Sequence, residues 1–439
     1  MKVKQELERT IRLPQAVALY IGAVMGSGIL LVPGMSAEMA GPASLLAWGA
    51  MVIWMLPMAL VMGWLAAAYP HAGGVAHYVS RAFGEKAGVY AGWFFLMSVV
   101  IGAPVAALTG AGYLSAALGW GNFEVIILGT AILLIGLTVN YRGMKLSGRI
   151  QVTIIVGIVA VLLLAIIGSV PHIESRNFTP FMPAGWISVG QAASILFWCF
   201  IGWEAVSHLS EEFVNPKRDS VRGVIIASTV VGLLYFLTAF ATVGTKSYGT
   251  EMGSDVALVK VINQMFGWGG SILAGATSFL ICSATVIAYV GAASRLAYAI
   301  ARDGNAPSAL ARLSKKYATP VGGLTFLAVC FLMIITLYGA GWISLTTLIQ
   351  LPNATFILTY LAGCAAGVRL LANSRWGFRI SWISLILTAA VFPFTGWAIV
   401  YPAMIALFVW LSYRYSKSKN PNRAAVAASC KKDMKMERT

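Results

Sequence analysis

Long, nearly uncharged apolar stretches recur along the whole 439-residue chain, and they constrain it more than any other feature. About 20 such residues make one helical crossing of a bilayer core. The stretches lie near 13–40, 43–69, 87–117, 125–141, 150–170, 187–213, 223–244, 267–294, 321–338 and 344–368. A further tract, 380–413, is interrupted by Phe392-Pro393-Phe394-Thr395-Gly396 and is long enough for two short crossings. The pattern predicts an all-α integral membrane protein of about twelve transmembrane helices. Only 10% of residues are charged, against about 25% in soluble domains, which excludes one large soluble core. Alternating strand patterning is absent, which argues against an outer-membrane barrel.

The net charge of +16 raises nucleic acid as a partner, but the distribution of charge opposes it. When loops are assigned alternately to two sides, 28 of the 31 Lys and Arg fall on the side of the N-terminal tail. Only Arg176, Lys246 and Lys260 fall on the other. Short loops with this bias face the cytoplasm, so both termini are expected inside, with the protein in the inner membrane of a bacterial-type cell. The start MKVKQELERTIRLP shows no leader followed by a cleavage site. Residues 1–415 read as the transmembrane domain and 416–439 as a basic, disordered cytoplasmic tail held near anionic lipid. Cys199, Cys282, Cys330 and Cys364 fall within spans and Cys430 in the tail, so no disulfide is expected. No Cys/His spacing suggests a metal, and no cofactor motif is present.

Two spans carry a break. The first reads Ile21-Gly22-Ala23-Val24-Met25-Gly26-Ser27-Gly28-Ile29-Leu30-Leu31-Val32-Pro33, and each interior glycine costs a helix about 1 kcal/mol relative to alanine. The sixth reads Phe197-Trp198-Cys199-Phe200-Ile201-Gly202-Trp203-Glu204-Ala205. Irregular backbone at membrane depth is tolerated where it lines a cavity. The first and sixth spans correspond if spans 1–5 and 6–10 form two halves, and an odd number of spans inverts one half relative to the other. Paired interruptions of this kind point to a transporter's central site. Free N–H groups around Ser27, Gly28 and Ile29 would form a positive pole for a carboxylate. Free carbonyls near Ala23 to Met25 and Cys199 to Ile201 would receive an ammonium group. The competing reading is that the glycines only allow close helix packing.

Glu204 is the one carboxylate placed near mid-membrane, and such a residue is a functional candidate by default. It could carry a proton, act as a structural hydrogen-bond donor at the break, or touch substrate. Trp198, Phe200, Trp203 and Tyr289 are candidate gate or pocket aromatics, with Phe200, immediately before Ile201-Gly202, the foremost. No basic residue falls within a predicted helix core, which points to a neutral, apolar substrate side chain.

These residues carry a family resemblance. Gly26-Ser27-Gly28-Ile29 with Pro33, and Phe200-Ile201-Gly202-Trp203-Glu204, resemble the paired signatures of the amino acid–polyamine–organocation (APC) superfamily. So do Tyr69-Pro70-His71-Ala72-Gly73-Gly74-Val75-Ala76-His77-Tyr78, Glu211-Glu212-Phe213-Val214-Asn215-Pro216-Lys217-Arg218-Asp219 and Arg302-Asp303-Gly304-Asn305-Ala306-Pro307. Within it, Gly73-Gly74-Val75-Ala76-His77 and Phe197-Trp198-Cys199-Phe200 are most similar to bacterial L-methionine/branched-chain amino acid exporters. The resemblance implies an inverted five-plus-five (LeuT-like) repeat with broken helices 1 and 6, two peripheral helices and alternating access. By carry-over, Gly26, Ser27 and Gly28 would hold the substrate carboxylate. Cys199, Phe200 and Ile201 would offer carbonyls to the ammonium beside Gly202, and Phe200 would help close the pocket. Some family members place a lysine mid-way along helix 5 in lieu of sodium. Here that place, near Gly157-Ile158, has none.

The expectation is therefore proton-coupled export of L-methionine and branched-chain amino acids by a secondary transporter, not an enzyme. An importer or exchanger of neutral amino acids is the alternative, since alternating access is reversible. A polytopic membrane enzyme is the alternative of another class, but no HExxH or P-loop is present and His71, His77, His172 and His208 show no ligand-like spacing. Oligomeric state is not legible.

Overall fold

The computed structural model describes residues 7–26, 28–249 and 268–419. Ser27, Lys2, Lys4, Lys260, Cys430 and the tail beyond Lys419 lie outside the described residues. The first span is two helices, α1 (Leu13–Met25) and α2 (Gly28–Ala40). There follow α3 (Ser44–Ala68), α4 (Gly74–Phe83), α5 (Glu85–Leu118), α6 (Asn122–Tyr141), α7 (Met144–Ser169) and α8 (Gly185–Leu196). After the second break come α9 (Pro216–Gly244), α10 (Trp268–Arg302), α11 (Val321–Gly339), α12 (Leu345–Leu370), α13 (Arg375–Val391) and α14 (Val400–Lys419). Among the described residues the only β pairing is one bridge, Ile11 to Phe213.

Local chemistry sets several boundaries. Pro216 occupies the first turn of α9, where its missing N–H costs nothing. Ser344 and Ser374 cap α12 and α13 by accepting the N–H groups of Thr347 and Gly377. Pro352 interrupts the bonding of α12, and its carbonyl accepts from the Thr355 hydroxyl, which in turn accepts from Ser98.

Nine helical stretches among the described residues are long and apolar enough to cross a membrane, or ten with one bent pair. One of the nine, Gly28–Ala68, contains both α2 and α3, parted by a turn at Gly41–Ala43. The bent pair parts Arg375–Val391 from Thr395–Leu411 by 106°, at the expected Pro393–Gly396 interruption. The twelve expected spans correspond to joining α1 to α2, separating α3, and counting α13 and α14 as two. Residues 416–419, which the charge pattern places in the tail, complete α14.

The chain is a multi-pass membrane protein, and its packing shows which helices meet lipid. α5 is the most enclosed of the long helices and packs on α10, α12, α6 and α4. α6, α7, α11, α13 and α14 present large apolar side chains outward, among them Phe123, Val156, Leu332, Ile386 and Leu407. The loops assigned to one side by charge meet at one end of the bundle. There Ile11 bridges Phe213, Arg302 pairs with Glu211, and the Thr319 hydroxyl donates to the Tyr141 carbonyl. At the opposite end the Asn177 side chain and the Glu174 N–H both donate to the Gly244 carbonyl.

Two expectations need correction. Between spans 2 and 3, where the apolar pattern predicts no helix, the chain forms α4. And α10 runs on past residue 294 to Arg302, so Arg295 is a fully buried helix residue rather than a loop cation. Its Nε donates to Glu212 Oε1 at 2.7 Å. Burial is tolerable because the pair is neutral as a unit.

Candidate functional site

The first break falls between Met25 and Gly28. Gly26 has φ +36°, left-handed backbone that glycine alone adopts cheaply, and α2 resumes at Gly28. In the sixth span α8 gives way to a tight 3-10 turn, Phe197–Phe200, then to extended backbone at Ile201. Gly202 follows with φ +135°, and 3-10 turns carry the chain from Ala205 to Glu212.

The two breaks cross each other at van der Waals distance. A Cβ on Gly202 would lie 2.7 Å from the Ala23 carbonyl oxygen, and one on Gly28 would lie 2.8 Å from Cys199 Sγ. Close packing of the two breaks therefore requires glycine at both places. Unwinding frees backbone groups that must find partners. The Tyr235 hydroxyl of α9 lies 3.0, 2.9 and 3.0 Å from the carbonyl oxygens of Val24, Met25 and Cys199. The Thr285 hydroxyl of α10 donates to the Gly22 carbonyl at 2.8 Å. The Gly202 N–H donates both to Glu204 Oε2 and to the Tyr360 hydroxyl of α12, each at 3.0 Å. The other oxygen of Glu204 accepts from Tyr289 at 3.4 Å. Glu204 is fully buried.

Beside the crossing is a cavity of about 50 Å3, room for several waters at ~10–15 Å3 each. Ala23, Val24, Gly26, Gly28, Trp198, Ile201, Thr285 and Tyr289 line it, with Val99, Gly102, Ala103, Val105 and Ala106 of α5 and Phe356 of α12. No lining side chain is charged. The polar elements are the Thr285 and Tyr289 hydroxyls and the backbone of the breaks, including the first described residue of α2, whose N-terminus attracts anions. The arrangement suits a small zwitterion with an apolar substituent.

The candidates distribute unevenly. Gly26, Gly28, Trp198, Ile201 and Tyr289 line the cavity; Ser27 lies outside the described residues. Met25 and Cys199 contribute carbonyls held by Tyr235. Ile29 is buried behind the cavity rather than in its wall. Phe200, the foremost gate candidate, packs edge-on against Tyr235 and Trp48, at 5.3 and 6.3 Å between ring centres, and lies outside the wall. Trp203 packs on Tyr20, 6.2 Å away, and also turns from the cavity. Trp198 is the aromatic of this set, besides Tyr289, that faces the space a substrate would fill.

Sequence reasoning missed three buried polar residues at the breaks. Tyr235 and Tyr360 sit in ordinary apolar helices, and nothing in their spacing marks them. Gln151 of α7 is the third: its amide donates to the Ala284 carbonyl at 3.0 Å and the Ala18 carbonyl at 3.5 Å. A Cβ on Gly22 would collide with it. The neutral group of α7 facing α1 and α10 is thus Gln151, a turn and a half before Gly157, which has open space beside it.

The end of the bundle carrying the N-terminus is closed. Thr10 and Ile11 donate N–H groups to the Glu212 carbonyl, and Val214 N–H donates to the Ile11 carbonyl. The Glu211 carboxylate accepts from the Ala72 N–H at 2.7 Å and from Arg302 at 3.2 Å. Arg302 also meets His71 Nε2 at 2.7 Å, while His71 Nδ1 accepts from the Gly73 N–H at 2.9 Å. His71 and His77 stack with ring centres 4.1 Å apart. Burial, and then the Arg302 guanidinium, push His71 below the ordinary histidine range. Burial, then His71 and Arg81, push His77 down to about 4.

Residues 11–419 match the amino acid permease family. The chain is 36% identical over 418 residues to the uncharacterized amino acid permease YecA of Bacillus subtilis (strain 168), covering 95% of this chain and 98% of that protein. It is 32% identical over 408 residues to the L-methionine/branched-chain amino acid exporter YjeH of Escherichia coli (strain K12), covering 92% and 96%. It is 28% identical over 338 residues to the branched-chain amino acid permease BcaP of Bacillus subtilis (strain 168), covering 72% of each.

Proposed function

The chain belongs to the amino acid permease family and carries amino acids, and we propose that its cargo is L-methionine and branched-chain amino acids, exported in exchange for protons. The observation that carries the reading is the cavity at the crossed breaks, walled by apolar groups and free of charged side chains. A methionine or leucine carboxylate docks on the N–H groups that open α2 at Gly28 and Ile29, with Ser27 expected beside them. Its ammonium takes a free lone pair of the Val24 carbonyl in the cavity wall, beside the Met25 and Cys199 carbonyls, the three sharing the single proton of the Tyr235 hydroxyl. The side chain lies along Val99, Ala103 and Phe356. A charged side chain would meet no counter-ion there and would lose its hydration.

A site near mid-span closed at one end suits alternating access. In this reading the N-terminal end is cytoplasmic, in accord with the basic loops, and lies in the inner membrane. Opening it separates Ile11 from Phe213 and Arg302 from Glu211. Glu204 takes up and releases the proton, since it is the buried carboxylate tied to both the Gly202 backbone and a cavity-lining tyrosine. Exchange or uptake is the second reading, favoured by the likeness to a branched-chain amino acid permease.

The test is efflux of radiolabelled methionine from preloaded inverted and right-side-out proteoliposomes, with and without an imposed pH gradient. Stimulation by inward-directed protons supports antiport. Movement that requires amino acid on the opposite side converts the reading to exchange.

A further inference from the structure

We propose that Gly102 of α5 sets how long a side chain this transporter accepts, its missing Cβ leaving room for the end of a methionine or leucine side chain. This rests on the methionine and branched-chain reading above. The crossed breaks supply the polar wall of the cavity, so a substrate held there by its carboxylate and ammonium points its side chain at α5 and Phe356. Val99, Gly102, Ala103 and Ala106 are spaced so as to share one face of that helix. Gly102 differs from the other α5 residues in the wall. Val99, Ala103, Val105 and Ala106 are buried, whereas Gly102 is half-buried and lines the cavity.

Glycine weakens a helix interior relative to alanine, so each one in α5 calls for a reason. At three of them packing supplies it: a Cβ would lie 2.6 Å from Ser80 at Gly88, 2.8 Å from Ile300 at Gly92 and 2.6 Å from Cys282 at Gly110. Gly102 has no such reason. Among the described residues outside its own stretch of helix, only two atoms of the Phe356 ring come within 4 Å of the place of its Cβ. They lie at 3.6 and 3.9 Å, which is ordinary contact. Its backbone is helical, so no left-handed φ demands glycine either.

A methyl group would thus fit, and it would stand in the cavity. About the size of one water, it would take roughly a quarter of the 50 Å3 there. Phe356 has little freedom to give way, because Phe95 and Tyr289 pack against its ring with centres 6.1 and 5.6 Å away. Alanine at 102 would therefore remove the room that the thioether end of methionine needs, while a side chain as short as that of valine stops before it. The competing role for this glycine is to accommodate Pro104, two residues on. That role would alter transport of every substrate alike, whereas a size filter changes their order.

The test measures KM for radiolabelled methionine and valine in proteoliposomes of full-length wild type, Gly102→Ala, Gly102→Val and Gly112→Ala, with a melting curve on each. Gly112 is the control: it lies further along α5, outside the cavity wall, with nothing among the described residues within 4 Å of its Cβ position. The ratio of the methionine KM to the valine KM should rise about 10-fold in Gly102→Ala, the low end of what one methylene decides in an apolar pocket, and about 100-fold in Gly102→Val. The melting midpoint of Gly102→Ala should be no lower than that of wild type, and Gly112→Ala should keep the wild-type ratio. An unchanged ratio in both Gly102 variants overturns the proposal. So does an equal rise of both KM values, which would assign Gly102 to Pro104, or a lowered Gly102→Ala midpoint, which would make it a packing residue. A shift in Gly112→Ala as large as that at 102 would trace the effect to helix stiffness and overturn it too. A wild type that lacks transport of methionine or of valine removes the reading on which the proposal rests.

Discussion

Replacing Gly28 by alanine probes whether the crossing of the breaks is a binding site or only a packing contact. The added Cβ would lie 2.8 Å from Cys199 Sγ, 3.1 Å from its Cα and 3.2 Å from its Cβ. Overpacking on this scale costs about 1–3 kcal/mol, so the thermal midpoint in detergent falls and transport drops. Cys199→Ala in the same molecule removes the tightest of the three contacts and leaves two that small shifts absorb. The double variant should therefore recover most of the lost midpoint. Affinity should not follow, because the new methyl also stands at the N-terminus of α2 where the carboxylate docks. A hydrogen bond to a charged group contributes about 1.5–3 kcal/mol, so the leucine KM of the double variant should remain raised by roughly 10- to 150-fold. The assay pair is a melting curve and leucine counterflow on the same preparations. A double variant that regains both the midpoint and the wild-type KM would reduce Gly28 to a packing residue and refute the site.

Glu204→Gln should keep leucine exchange and lose its response to a pH gradient; an unchanged pH profile assigns Glu204 to holding the Gly202 turn. Tyr235→Phe keeps the ring packing on Trp48 and Phe200 but leaves three carbonyls without their shared donor, and should raise KM about tenfold for 1.4 kcal/mol lost. Glu212→Gln strands the buried Arg295 charge and should cost about 3–5 kcal/mol, read as a lower melting midpoint or loss of folded protein. His77, pushed down to about 4, favours the folded, closed N-terminal face when neutral. Its contribution is present above the ordinary value near 6.5 and is lost as pH falls from there toward 4. The melting midpoint should fall over that window and fall less in His77→Gln; equal slopes would contradict it.

Much of the architecture was legible because a bilayer forces a coarse code: apolar length, basic loops and glycine at the breaks. Gly26 and Gly202 were legible because positive φ at membrane depth admits little else. The rest depends on contacts that cross the sequence. Helix α4 has apolar Val75, Ala76, Tyr78, Val79 and Ala82 at helical spacing between glycines, a signal present but too short to read against the spans beside it. Arg295 looked like a loop cation because Glu212, which neutralises it, is 83 residues away. Tyr235, Tyr360 and Gln151 are polar residues in apolar helices, and only their neighbours distinguish them from ordinary core. Trp198 and Phe200 are two residues apart on a tight turn, and which of them faces the cavity is decided by how α3 and α9 pack.

The most direct test of a neutral amino acid site at the crossed breaks is counterflow of radiolabelled methionine in wild-type proteoliposomes, competed in turn by leucine, isoleucine, lysine and glutamate. Leucine and isoleucine should abolish the signal, while lysine and glutamate, whose charges find no partner in the cavity wall, should leave it intact. Equal competition by the charged amino acids, or no counterflow of methionine at all, would contradict the account.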